Sequence, residues 1–296
     1  MTSKKVRKAI IPAAGFGTRM YPATKALKKE LFPIIGKDGR AKPIILAIVE
    51  EAISGGIEEV GIVVQECDRN LFHDLLKSPP KPELWNKLST ENKEYSEYLK
   101  TIGDRITILT QTEQEGFGHA VFCSREWVGN EPFLLLLGDH VYTSNGESSC
   151  AAQMVKIYQQ AQTSVIGITA MHADIIHKAG CVGGEWQTEQ SILKISQIYE
   201  KPSLEYAQKH LQISGMPNDQ FLGVFGMYVL QADIFELLDS EIKNNQRFKG
   251  EFQLTTCLDK LRQHHGAIAY LVQGQYYDTG MPEFYRQTMI DYYNQQ

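Results

Sequence analysis

Short apolar runs, bounded by glycine, proline or charge, alternate along the first half of the chain with stretches of helical period. Ala9-Ile10-Ile11 is the first such run and reads as a buried parallel strand that feeds a tight turn. Residues 60–64, 106–109 and 133–137 repeat the pattern and predict three further buried strands. Between the first two, Ile45, Ile48, Val49 and Ala52 mark one face of a helix, which Gly55-Gly56 stops. A helical stretch over 118–128 precedes the fourth strand. Strand, helix and strand in alternation predict right-handed crossovers and a Rossmann-like, doubly wound α/β sheet.

From about residue 150 the pattern changes. A helix over 150–162 leads to strands near 164–171 and 180–186, and residues 193–199 alternate apolar and polar as a strand with one wet face does. Another strand follows over 221–230, then helices over about 232–244 and 254–264, a strand over 268–272 and a terminal helix over 282–294. No linker rich in proline, glycine or serine separates the halves. One domain with a continuous mixed sheet is therefore expected, with halves of about 1–145 and 146–296. Residues 68–102 are polar, helical in tendency and interrupted by Pro79-Pro80 and Pro82, and read as a peripheral insertion.

Composition narrows the chemistry. A hydrophobic share of 43% and a charged share of 22% are ordinary for a soluble globular enzyme. The net charge of −5 gives no ground for nucleic-acid binding. The longest aliphatic run, 134–137, is far too short to span a bilayer, and the basic cluster Lys4-Lys5 with Arg7-Lys8 lacks the apolar region of a leader. The cysteines, Cys67, Cys123, Cys150, Cys181 and Cys257, are scattered and form no C-x-x-C pair. That spacing argues against zinc and for free thiols in a reducing cytoplasm.

The densest chemistry follows the first strand, in Gly15-Phe16-Gly17-Thr18-Arg19-Met20-Tyr21-Pro22-Ala23-Thr24-Lys25, with Lys28-Lys29-Glu30-Leu31-Phe32-Pro33 behind it. Small residues let main-chain N–H groups approach an anion, and Arg19, Lys25 and Lys29 supply cations. Met20 stands where the dinucleotide fingerprint needs its third glycine, and no P-loop motif occurs. Taken alone, G-x-G-x-R describes an ordinary strand-to-helix turn. The longer run G-x-G-T-R-x-x-P-x-T-K followed by K-E-L-x-P is far more specific. It resembles the signature of the sugar-1-phosphate nucleotidylyltransferases, and Pro22 to Lys25 with Lys29-Glu30 look most like the bacterial UTP–glucose-1-phosphate uridylyltransferase branch.

The resemblance extends over nearly the whole chain and carries roles with it. It implies the nucleotide-diphospho-sugar transferase fold, with a nucleotide-binding first half and a sugar-binding second half. Leu136-Leu137-Gly138-Asp139 ends the fourth strand, and Tyr277-Asp278-Thr279-Gly280 precedes the last helix. Asp139 and Asp278 would together hold Mg²⁺, for which carboxylate oxygens are suitable ligands. Alone, Asp139 reads as a turn cap and Asp278 as a helix N-cap. Ala13, Ala14, Gly15, Gly17, Thr18 and Glu30 would bind the nucleotide. Gln111 would meet the base edge beside Gly116, its amide donating and accepting as uracil requires. His119 is open to a role as metal ligand or base, against the commoner one of a structural histidine facing its helix.

Glu200-Lys201-Pro202 matches the E-K-P motif, a carboxylate for sugar hydroxyls beside a lysine for the sugar phosphate. Gly180, Gly223, Val224 and Gly226 would line the sugar pocket. Gly250-Glu251-Phe252-Gln253-Leu254-Thr255 matches G-E-x-Q-L-T. Three departures stand out: Thr110 and Glu115 occupy positions that tend to be basic in the uridylyltransferases, and Thr256 replaces an acidic residue.

The implied reaction is a Mg²⁺-dependent, in-line attack of glucose 1-phosphate on UTP, giving UDP-glucose and pyrophosphate, with Arg19 and Lys29 catalytic. The alternatives are dTTP or another hexose 1-phosphate as substrate, a glycosyltransferase, or a non-catalytic nucleotide-sugar sensor. A glycosyltransferase usually shows D-x-D, which Asp139-His140-Val141 lacks. The expected partners are small molecules, without nucleic acid or membrane, and a homo-oligomer is left open.

Overall fold

The computed structural model describes residues 5–36, 38–188 and 191–294; Lys4 of the basic cluster lies outside them. The first strand, β1 (Lys8–Pro12), is buried along its whole length. Single 3-10 turns at Thr18–Met20, Ala23–Lys25 and Lys29–Leu31 lead to a hairpin, β2 (Pro33–Ile35) and β3 (Ala41–Pro43), and then to α1 (Ile44–Ser54). β4 (Glu59–Gln65) is followed by α2 (Arg69–Lys77), α3 (Pro82–Trp85) and α4 (Thr90–Gly103) before β5 (Ile106–Gln111). Two short helices, α5 (Phe117–Phe122) and α6 (Arg125–Val128), precede β6 (Phe133–Leu136) and β7 (His140–Ser144).

The second half begins with α7 (Cys150–Ala161), β8 (Ser164–His172), β9 (Gly180–Thr188) and β10 (Ile192–Glu200). It continues through α8 (Leu204–His210), β11 (Gln220–Leu230), α9 (Ile234–Lys243) and α10 (Leu254–His264). β12 (Ala267–Leu271), β13 (Gly274–Asp278) and α11 (Pro282–Asn294) complete the described chain.

Nine strands form one sheet in the order β5-β4-β1-β6-β11-β8-β12-β10-β9. β5, β4, β1 and β6 run parallel, and β11 joins β6 antiparallel, which makes the sheet mixed. Helices cover both faces of the parallel part, which is why its strands are continuous apolar runs. One core cluster packs Ile48, Val49, Met154 and Tyr158 under α1 and α7, and a second packs Leu238, Leu258 and Leu261 under α9 and α10. The chain leaves β1 towards β4 and β5 and returns to β6 on the other side. The crevice outside the carboxyl ends of β1 and β6 is thus a topological switch point, where doubly wound sheets bind ligands.

Several elements differ from the expectation. The helix over 118–128 is broken at Cys123-Ser124, where the buried Ser124 hydroxyl donates to the Val121 carbonyl at 2.6 Å. β5 runs on to Gln111, and β6 stops at Leu136. β2, β3, β7, β13 and α8 have no counterpart in the hydrophobic pattern. β7 and β13 pair antiparallel as a separate ribbon that sets Asp278 opposite His140. Residues 68–102 supply the crossover from β4 to its parallel neighbour β5: Phe72 and Leu76 of α2 and Ile102 of α4 are buried in the core, while most of α4 faces outward.

Among the described residues no helix is long and apolar enough to cross a membrane. Phe72 is fully buried and away from the crevice. Phe72→Ala should cost about 3 kcal/mol of stability, the scale of a buried aromatic truncation. Thermal unfolding should show the loss while the circular dichroism of the folded variant stays that of wild type; an unaltered melting temperature would place residues 68–102 outside the core.

Candidate active site

The loop after β1 is held from several sides. The Ala13 N–H donates to the Val63 carbonyl at 2.7 Å, and the buried Gln65 amide donates to the Ala14 carbonyl at 2.7 Å. Thr24 Oγ1 donates to the Gly17 carbonyl at 3.1 Å, and Lys28 Nζ reaches the Gly15 carbonyl at 3.2 Å while pairing with Asp68 at 2.8 Å. Gly17 has φ +66°, and a Cβ there would lie 2.8 Å from Thr24 Cγ2, so the turn needs glycine. Ala14, Gly15, Gly17, Thr18 and Arg19 border a cleft of about 830 Å³. The Ala13 side chain is buried and packs in the core. Lys25 is exposed outside the cleft.

Asp139 follows β6 and Asp278 ends β13. The Thr279 N–H and hydroxyl both donate to the Asp139 carbonyl, at 2.8 and 2.7 Å, and the Gly280 N–H donates to Asp278 Oδ1 at 2.7 Å. These bonds and the β7–β13 register bring together ligand atoms of Asp139, His140 and Asp278 within 4.8 Å of one another. A Cβ added at Gly280 would stand 2.7 Å from Asp139 Oδ2, 3.0 Å from Asp278 Oδ1 and 3.3 Å from Arg19 Nη2. Arg19 therefore faces the same point as the two carboxylates. The His140 ring stacks on Tyr276, centroids 4.7 Å apart. The paired carboxylate oxygens fit a hard divalent cation; the neighbouring imidazole is a softer donor.

Lys29 enters this cluster from below, with Nζ 2.6 Å from Asp139 Oδ2 and 3.2 Å from Glu30 Oε1. Burial opposes its charge, but the two carboxylates outweigh burial and hold the ammonium above lysine's ordinary range. Burial likewise works against the Asp139 carboxylate. Lys29, with help from His140 and Arg19, prevails and holds it below the usual carboxylate range. Glu30, only 1% exposed, goes the other way, because burial outweighs the pull of Lys29.

The base side is built on Gln111, the buried last residue of β5 and the partner of Gln65 in register. Its amide nitrogen lies 3.3 Å from the Gly116 carbonyl and 3.0 Å from His119 Nδ1. His119, expected to be merely structural, thus touches the proposed base reader. The Gly116 loop is fastened to the G-E-F-Q-L-T segment. The Phe252 N–H donates to the Glu115 carbonyl and the Gly118 N–H to the Phe252 carbonyl, each at 2.8 Å.

The three departures acquire partners here. Glu115 forms an ion pair with Arg247, whose guanidinium lies 4.1 Å over the Phe252 ring. Arg69 donates to Thr110 Oγ1 at 3.1 Å. A cation therefore stands beside both Glu115 and Thr110. Thr256 Oγ1 donates to Glu241 Oε2 at 3.0 Å, and Glu241, 3% exposed, also pairs with Lys260 at 2.9 Å. An acidic residue at 256 would face this buried carboxylate with like charge.

On the opposite wall Glu200 ends β10. Its Oε2 accepts from Thr255 Oγ1 at 2.7 Å, and its Oε1 lies 3.6 Å from Lys201 Nζ. Lys201 has φ +50°, a strained value for a side-chain-bearing residue, and its N–H donates to the Ala179 carbonyl at 3.1 Å. Gly180, Val224 and Gly226 border the cleft with Glu200 and Lys201. Gly223 does not. A Cβ there would fall 1.7 Å from Met171 Sδ, so its missing side chain makes room for a methionine rather than a pyranose. The cleft also takes in Lys178, whose Nζ lies 4.8 Å over the ring of Phe284 on α11, a contact that no local motif announced.

Comparison with known proteins identifies the family. Residues 8–295 match the nucleotidyl transferase family. A Bacillus subtilis protein named UTP–glucose-1-phosphate uridylyltransferase is 35% identical over 278 residues, 94% of this chain and 87% of the relative. A Pseudomonas aeruginosa protein of the same name is 32% identical, over 95% of this chain and 93% of its own. Among solved structures, apo UDP-glucose pyrophosphorylase superposes with a TM-score of 0.82 at 31% identity, covering 98% of each chain. UDP-glucose pyrophosphorylase complexed with UDP-glucose gives 0.77 at 32% identity, over 98% of this chain and 100% of the other. The chain belongs to the nucleotidyl transferase family.

Proposed function

We propose that the protein transfers a uridylyl group from UTP to glucose 1-phosphate, releasing pyrophosphate and UDP-glucose. The observation that carries this reading is the placement of Arg19, Lys29, Asp139 and Asp278 in one cleft, between Gln111 on one side and Glu200 with Lys201 on the other. Relatives that carry this activity in their names support the same substrates. Free cysteines, three of them buried, suit the reducing cytoplasm in which the reaction is placed.

The reaction needs no enzyme nucleophile, since the sugar phosphate arrives ionised. One of its phosphate oxygens attacks the α-phosphorus, the bond to the bridging oxygen breaks, and pyrophosphate departs with the electron pair. The task left to the protein is positioning and charge neutralisation. The Gly15–Gly17 loop offers main-chain N–H groups to the nucleotide phosphates. Arg19 meets the departing pyrophosphate as a fork of donors. Lys29, held protonated, is the charge next to the α-phosphate. Lys201 meets the sugar phosphate, and Glu200 accepts from the sugar hydroxyls. Asp139 and Asp278 would hold Mg²⁺, which when bound adds positive charge against the phosphate oxygens.

The base pocket accepts a pyrimidine: Gln111 is confined between Gly116 and His119, and a purine would overfill that wall. A pyrophosphate-release assay over the four ribonucleotides, dTTP and several hexose 1-phosphates tests the reading. UTP with glucose 1-phosphate should give the highest kcat/KM, and ATP and GTP should be nearly inert; comparable rates with ATP would overturn the uracil assignment. Arg19 is exposed, and its loss should leave the fold intact. Arg19→Ala should lower kcat by about two orders of magnitude or more, the scale of one lost preorganised charge contact. Wild-type turnover in the folded variant would remove Arg19 from the mechanism.

A further inference from the structure

We propose that Thr255 is a positioning residue that sets the Glu200 carboxylate for sugar recognition. The proposal rests on the reading above that Glu200 receives the sugar hydroxyls. Glu200 has a neighbour on each oxygen. Thr255 Oγ1 holds Oε2 at 2.7 Å, while Lys201 Nζ pairs loosely with Oε1 at 3.6 Å. Without the threonine, nothing on Oε2 fixes the plane of the carboxylate. The loose pair with Lys201 would close to direct contact, withdrawing the acceptor from the sugar and the cation from its phosphate.

The surroundings suit such a clamp. Gly180 and Val224 close around the same oxygen: a Cβ at Gly180 would lie 3.2 Å from Glu200 Oε2, 3.3 Å from Val224 Cγ2 and 3.8 Å from Thr255 Cγ2. A carboxylate accepts about four hydrogen bonds, so one donated by Thr255 fixes its plane and leaves acceptor sites for hydroxyls. Thr255 is itself rigid. Its branched Cβ restricts its rotamer, and it stands in the first turn of α10, whose Leu254, Cys257, Leu258 and Leu261 are buried. The neighbouring hydroxyl of Thr256 points elsewhere, to Glu241. Adjacent threonines thus divide the work: one anchors the helix in the core, the other reaches into the cleft.

The test is steady-state kinetics of Thr255→Val, Thr255→Ser and Glu200→Gln. Thr255→Val keeps the branched shape and loses the donor. It should raise the KM for glucose 1-phosphate about ten-fold, the scale of one hydrogen bond to a charged group, with kcat and the KM for UTP within about two-fold of wild type. Thr255→Ser should restore the KM, and Glu200→Gln should raise it at least as much as Thr255→Val does. Thr255→Val in the Glu200→Gln background should add little, because the two residues act as one unit. A normal sugar-phosphate KM in Thr255→Val alongside a raised one in Glu200→Gln overturns the role of Thr255 alone. A Thr255→Val protein with both KM values raised, and no rescue by serine, shows that the threonine is only structural. A Glu200→Gln enzyme with unchanged KM removes the sugar-binding reading beneath the proposal.

Discussion

The site depends on holding two carboxylates together that the chain would otherwise keep apart. Asp139 and Asp278 come from distant parts of the sequence, and the β7–β13 ribbon, with the two hydrogen bonds that Thr279 donates to the Asp139 carbonyl, joins them. Their ligand atoms lie within 4.8 Å, a separation at which two unit charges repel by roughly 3–4 kcal/mol at an effective dielectric near 20. Lys29, closer at 2.6 Å, more than offsets this, and Arg19 faces the same point. Lys29 and Asp139 therefore keep each other charged in a half-buried place. The arrangement is ready for a polyphosphate, which brings negative charge, and for a divalent cation, which balances it.

The rest of the cleft is organised by cross-chain fastening. The segment from Arg247 to Thr255 touches both ends of the substrate path: it grips the Glu115–Gly118 loop on the base side and Glu200 on the sugar side. The charge of Glu115 is met by Arg247 from the other half of the chain, as the Thr110 hydroxyl is met by Arg69 from the crossover.

How much of this could be read from residues alone follows from the physics of each element. β1, β4 and β6 are buried almost throughout, so they wrote themselves into the sequence as apolar runs, while β5 at the sheet edge is buried only in part and is interrupted by threonines. β7 and β13 are short and mix polar with apolar residues, and carry no such signal, although they join the two aspartates. The glycine loop was legible through its motif. What fastens it was not, since Val63 and Gln65, which hold the Ala13 N–H and the Ala14 carbonyl, lie on another strand. Gly223 was misread because a strand glycine marks a close approach without saying by what; here it is Met171. Thr256 was opaque until Glu241, buried and distant in sequence, stood beside it. The Thr255–Glu200 bond was equally invisible, because a side-chain pair between two motifs leaves no trace in either.

The central claim is that Asp139 and Asp278 form one cation site. The most direct test is turnover against Mg²⁺ concentration for wild type, Asp139→Asn, Asp278→Asn and the double variant, with circular dichroism to confirm folding. Asparagine keeps the size and discards the charge. Each single change should abolish most Mg²⁺-dependent activity, and the double variant should be little worse than the poorer single, as expected of residues that act as a unit. Strictly additive losses, or an Asp278→Asn enzyme with normal Mg²⁺ dependence, would show that Asp278 only caps its turn through Gly280 and that Asp139 works without it.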